Sequence, residues 1–146
     1  MGRSPPLPNV IRANRALEAA WRAGVLPRPR LEPDALIAAA LRGAPESDLG
    51  PGENWREPLG RLLASLRDEA DLNPLGLSMA HGQVVMMLRA RQRAVALWRD
   101  HPEMLDRAVR APVVILGQMR SGTTRLQRLL ACDPRFAWTR GREALI

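Results

Sequence analysis

Eight consecutive residues, Gly117-Gln118-Met119-Arg120-Ser121-Gly122-Thr123-Thr124, combine the types that hold a phosphate-like anion. Gly117 and Gly122 have the separation of the phosphate-loop pattern G-x-x-x-x-G-K-[ST], and Thr124 occupies its hydroxyl position. Thr123 stands where that pattern carries lysine. The lysine is what reaches the β- and γ-phosphates of a nucleoside triphosphate, so a triphosphate reading loses its main cation. The anion-binding physics remains. Gly122 lets backbone approach a ligand and turn where other residues resist. Backbone N–H groups from Ser121 to Thr124, at the positive end of a following helix, face an anion, and three hydroxyls add donors. Arg120 supplies a permanent charge whose fork matches phosphate or sulfate oxygens. Such a site needs no metal.

The elements around the loop follow from pattern. Val113-Val114-Ile115-Leu116 is a short apolar run, mostly β-branched, of the kind buried on both faces of a parallel sheet. Thr124 to Ala131 reads as an amphipathic helix. Strand, glycine loop and helix open an α/β domain, so the expected fold class is α/β and P-loop-like, starting within residues 107–146. Residues 1–8, with three prolines, read as disordered. Residues 9–106 read as helical. Asn9 is a candidate cap for a helix carrying Val10, Ala13, Leu17, Ala20 and Trp21 and stopping at Gly24. A stiff Leu26-Pro27-Arg28-Pro29-Arg30 connector leads to a short helix from Pro33 to Leu41. Asn54, answered by Glu57, is the expected cap of a third helix with its stripe at Leu59, Leu62, Leu63, Leu66 and Ala70. Asn73-Pro74 starts a long helix to Asp100. Val84, Leu88 and Val95 mark one of its stripes; Met87, Ala94 and Trp98 mark another. Its arginines 89, 91, 93 and 99 read as a solvated face, and His81 and His101 as structural or surface residues.

Composition narrows the classes. The 146 residues carry a net charge of +7, and all 22 basic residues are arginine. Residues 1–73 hold ten arginines and ten acids, whereas residues 74–146 hold twelve and five. The excess therefore lies on the side of the loop, where it would favour an anionic ligand; a missing acidic partner segment explains it equally well. With no lysine and 3% aromatics, the high pI does not read as nucleic-acid binding. No apolar run approaches the length of a membrane span, and no secretory signal or myristoylation pattern opens the chain. The single cysteine, Cys132, fits a reducing cytoplasm and reads as a small buried hydrophobe. No Cys/His cluster has zinc spacing.

The run from Pro112 through the Arg120-Ser121-Gly122-Thr123-Thr124 loop to Asp133-Pro134-Arg135-Phe136 resembles the Arg-Ser-Gly-Thr-Thr class of sulfotransferases, which includes tyrosylprotein sulfotransferases and bacterial relatives. Trp55-Arg56-Glu57-Pro58-Leu59 and Leu72-Asn73-Pro74-Leu75-Gly76 resemble the helical region that precedes the loop in bacterial members. The resemblance implies sulfuryl transfer from 3′-phosphoadenosine-5′-phosphosulfate (PAPS) to a hydroxyl or amine. It makes Gly117 to Thr124 the PAPS-binding loop, Gln118 and Met119 included, and gives Arg120 the charge that stabilises the leaving phosphate. Glu143 is the carboxylate in the stretch where tyrosylprotein-type relatives carry the acceptor's base. Three positions depart from the family: Gln118-Met119 replaces a proline-containing pair, Arg125 replaces an apolar residue, and Arg142 replaces a tryptophan. The family's 3′-phosphate site lies on later elements. The expectation is thus an N-terminal portion of a sulfotransferase: a fragment, or a part completed by a missing C-terminal segment or a second chain. The rival readings are a helical interaction module with a relic loop, and an atypical P-loop kinase or NTPase.

Overall fold

The computed structural model describes residues 7–106, 108, 111–117 and 121–138. The chain divides into two compact units, Met1–Asp106 and Arg107–Ile146.

The first unit is helical. Helix α1 spans Pro8–Arg22, α2 Pro33–Leu41, α3 Arg56–Asp68 and α4 Pro74–Asp100; short 3₁₀ turns lie at Glu46–Leu49 and Pro102–Met104. Helix α2 packs on α4 and α3, and α1 and the first 3₁₀ turn also pack on α4. The core is Leu31, Leu36, Ile37, Ala40, Leu41, Leu49, Leu63, Val84, Val85 and Leu88, with Leu36, Leu49 and Leu63 fully buried.

Local chemistry sets these boundaries. Pro33 opens α2 with its φ already helical and no N–H to lose. Arg42 in the left-handed region and Gly43 at φ +92° end it. Asn73 caps α4: its side-chain oxygen accepts the Gly76 N–H at 2.8 Å, and Pro74 follows as first helical residue. His101-Pro102 closes α4. Helix α1 ends before Gly24, at φ +69°.

Two expected caps are replaced. Helix α1 begins at Pro8, and Asn9 instead accepts the N–H of its neighbour Val10. Helix α3 begins at Arg56 without a side-chain cap. There the Trp55 indole donates to the Gly52 carbonyl at 3.1 Å, and a turn from Glu53 to Arg56 leads the chain in. Glu57 pairs with Arg61 one turn on, not with Asn54.

The arginines of α4 are not a solvated face throughout. Arg89 donates to the Ala39 and Ala40 carbonyls, at 3.0 and 3.4 Å, and Arg91 to the Leu49 carbonyl at 2.7 Å. These are carbonyls at the ends of α2 and the 3₁₀ turn, which a helix cannot satisfy internally. Arg99 reaches Asp48 at 3.2 Å. Gly50 sits against this same stripe: a Cβ there would lie 2.9 Å from Val95 Cγ2, and its φ of +89° suits glycine. The guanidinium groups of Arg56 and Arg91 each lie over the Trp55 ring, at 5.3 and 5.5 Å from its centre.

Leu63→Ala should cost about 2–5 kcal/mol by leaving a cavity. Arg89→Met should cost about 1–3 kcal/mol by leaving α2 carbonyls unsatisfied. Arg61→Met, at an exposed pair, should stay within about 0.5 kcal/mol. Urea unfolding of the three variants checks the order; an Arg89→Met curve that overlays Arg61→Met contradicts the capping role.

Candidate functional site

The second unit carries the loop. Its described helix, α5, spans Thr123–Leu130. The strand expected at Val113–Leu116 is not formed: no strand or sheet occurs among the described residues, and the α/β fold class is corrected to helical. A strand needs a neighbour to take its backbone hydrogen bonds, and the described residues provide none. The apolar run is instead irregular, with Val113 57%, Val114 71% and Leu116 88% exposed and Ile115 half-buried. β-branched composition signals a taste for a sheet but cannot supply the partner.

The turn into α5 is shaped as an anion loop requires. Gly122 is left-handed, at φ +90°, and stands as the N-cap of α5 without any side-chain cap. The Gly122 carbonyl accepts the N–H of Arg125 at 2.9 Å and of Leu126 at 3.1 Å. The amides of Thr123 and Thr124 therefore precede the first bond of the helix. No acidic side chain occupies its first turn to compete for them. Gly117 lies close to the start of α5. A Cβ at Gly117 would lie 2.6 Å from the Ser121 hydroxyl oxygen and 2.8 Å from Thr123 Cγ2. Glycine is thus favoured at 122 by conformation, whereas a Cβ at 117 would make the Ser121 and Thr123 side chains rotate aside. Ser121, Gly122 and Thr124 are exposed and Thr123 is half-buried.

Gln118, Met119, Arg120 and Glu143 lie outside the described residues. The structure brings Gly117, Ser121, Gly122, Thr123 and Thr124 together. Beside them is a cleft of about 530 Å³, lined by Val113 to Ile115, Thr123, Thr124, Gln127 and the aromatic pair Phe136 and Trp138. Gln127 was not foreseen from the sequence, although it stands one helical turn after Thr123 on the same face.

The segment after α5 is held by a local clasp. Asp133 accepts the Arg135 N–H at 3.0 Å and takes its guanidinium on both oxygens, at 2.6 to 3.1 Å. The side-chain bonds from Arg135, with its backbone N–H, hold the Asp133 carboxyl below its ordinary range and the Arg135 guanidinium above its own. Cys132 is exposed rather than buried, its thiol donating to the Arg128 carbonyl at 3.3 Å. It follows a helix whose apolar side chains Leu126 and Leu129 are themselves 47% and 62% exposed. Arg125, too, is exposed and carries no desolvation cost.

Among the described residues no group of three or more His, Cys, Asp or Glu could hold a metal, and no helix is long and apolar enough to cross a membrane. Compared with protein-family models, with curated proteins and with solved structures, the chain matches none.

The Asp133 side chain should titrate below the ordinary carboxyl value of 3.8. A depressed folded-state value contributes stability above the unfolded-state value, lost as pH falls through the folded one. Carboxyl-carbon NMR checks this: Arg135→Gln should move the midpoint back up, and an unmoved midpoint contradicts the clasp.

Proposed function

We propose that the Gly117–Thr124 loop binds the 5′-phosphosulfate of PAPS and that the chain serves sulfuryl transfer to a hydroxyl or amine acceptor. The observation that carries this reading is the turn into α5: left-handed Gly122 opens the helix with no side-chain cap on its first amides, and Gly117 lies against the Ser121 and Thr123 side chains. The first turn holds no acidic side chain, and Ser121, Thr123 and Thr124 bring three hydroxyls to it. This donor set suits a singly or doubly charged phosphosulfate and includes no lysine for a γ-phosphate.

In this reading the acceptor oxygen or nitrogen attacks sulfur in line, the bond from sulfur to the bridging oxygen breaks, and 3′-phosphoadenosine-5′-phosphate leaves. Amides and hydroxyls of Ser121 to Thr124 hold the 5′-phosphate. Arg120 balances charge on the bridging oxygen, and Glu143 takes the acceptor proton. The chemistry needs no metal. A single cysteine, which can form no internal disulfide, favours a cytoplasmic setting.

A second reading has one observation of its own. Met79, Met86, Met87, Leu97 and Trp98 on α4 are 44–65% exposed, which favours a helical interaction module.

Calorimetric titration and thermal shift separate the readings. Phosphosulfate binding predicts that PAPS and 3′-phosphoadenosine-5′-phosphate raise the thermal midpoint without magnesium. The stabilisation should reach about 2.7 kcal/mol at a hundredfold excess over Kd. Arg120→Ala should weaken binding about tenfold or more. Binding of ATP with magnesium but not of PAPS would instead support a kinase-like loop. No nucleotide binding at all would leave the helical module as the better account.

A further inference from the structure

A trough in the first unit has the make-up of a ligand site. Two cavities, of about 570 and 480 Å³, share Arg28, Leu72 and Leu77 and so form one depression. It runs between the end of α1, the connector before α2, the end of α3 and the start of α4. Each lobe has the size of a small-molecule site. The floor is apolar: Leu66, Leu72 and Leu77 are half-buried at the edge of the core, and Trp21 and Pro74 extend it.

The rim is cationic, and its cations differ in what they already hold. Arg67 donates to the Leu31 carbonyl at 2.9 Å, and Arg22 to the Glu18 carbonyl at 3.4 Å. Arg28 lies over the Trp21 ring at 5.8 Å. Neither Arg28 nor Arg30 has a carboxylate partner among the described residues, although Glu18 and Glu32 also line the trough. Both arginines project into the second lobe for a backbone reason. Pro27 and Pro29 alternate with them, and Pro29 holds Arg28 extended. In an extended chain residues two apart face the same side. The connector therefore places two arginines without carboxylate partners at the rim of an apolar floor.

We propose that this trough binds an amphiphilic organic anion: a carboxylate, sulfonate or phosphate head on an aryl or acyl body. The head pairs with Arg28 and Arg30 through charge-assisted hydrogen bonds. The body lies on Leu72, Leu77 and the face of Trp21.

Two probes of nearly equal body test the head and the floor separately in the full chain. 8-Anilinonaphthalene-1-sulfonate carries the anion; N-phenyl-1-naphthylamine lacks it. The sulfonate should bind the wild-type chain more tightly, by fluorescence titration. The double variant Arg28→Gln/Arg30→Gln should lose about tenfold or more of that affinity and keep its affinity for the neutral amine. Arg61→Gln, at the exposed pair on α3, should change neither. Amide NMR of the wild-type chain should show the sulfonate shifting Leu72, Leu77 and the Trp21 indole, which keeps the test open if the double variant misfolds. The proposal is overturned by a sulfonate that does not bind, by equal loss of both probes in a folded double variant, or by shifts confined to α5 or to the exposed face of α4.

Discussion

One face of α4 is the constraint on which the first unit depends. It carries Val84, Val85 and Leu88 into the core; Arg89 then follows Val85 toward α2, while Arg91, Val95 and Arg99 continue the line of Val84 and Leu88. The apolar part gives α2 something to pack on. The arginine part terminates α2 and the Glu46–Leu49 turn by taking their last carbonyls. Neither neighbour stands without it. Nine residues are too few for an independent helix, because nucleation costs more than so few propagation steps return. A 3₁₀ turn has still poorer hydrogen bonds. Removing the carbonyl contacts would therefore loosen elements whose own sequences cannot hold them.

The same dependence explains which features of the fold were legible. Signals acting within a few residues were readable: Pro33 and Gly43 around α2, Asn73-Pro74 before α4, Gly24 after α1. Asn54 failed as a cap because Trp55 anchors to Gly52 and brings the chain in by another turn. The α4 arginines were misread because helical periodicity says which residues share a face, not that carbonyls wait opposite it. Cys132 was misread because Asp133, Arg135 and Phe136 form their own turn beyond α5 and do not cover it. The strand failed most instructively. Val113 to Leu116 have the composition of a sheet strand, yet a strand is a property of two segments, and the described residues contain one.

At the loop, the glycines were legible and their reasons differ from one another. The position of Gly122 follows from φ, a local property visible in any Gly-Thr-Thr at a helix start. Gly117 lies against the Ser121 and Thr123 side chains, a proximity that spacing alone only hints at. Phe136 and Trp138 reach the cleft that Gln127 lines because α5 is followed by a tight turn. The trough around Arg28 was less legible still. Its walls come from four separate stretches, and only the alternation of proline and arginine between Leu26 and Arg30 is written in one place.

The exposure of the loop decides how it can hold an anion. Ser121, Gly122 and Thr124 are open to water, so each donor works at high effective dielectric and in competition with solvent. A single amide or hydroxyl then adds little net free energy. The partial charge of an eight-residue helix, screened by salt, adds a fraction of a kcal/mol to about one more. Affinity must come from several donors acting on one rigid group. In the proposed reading the left-handed turn at Gly122 contributes by setting the direction of the first amides of α5. It also follows that a full guanidinium charge matters more here than in a buried loop, because the backbone alone cannot neutralise a developing oxyanion in water. This is the physical ground on which the proposed phosphosulfate reading gives the transition-state charge to Arg120 rather than to the helix end.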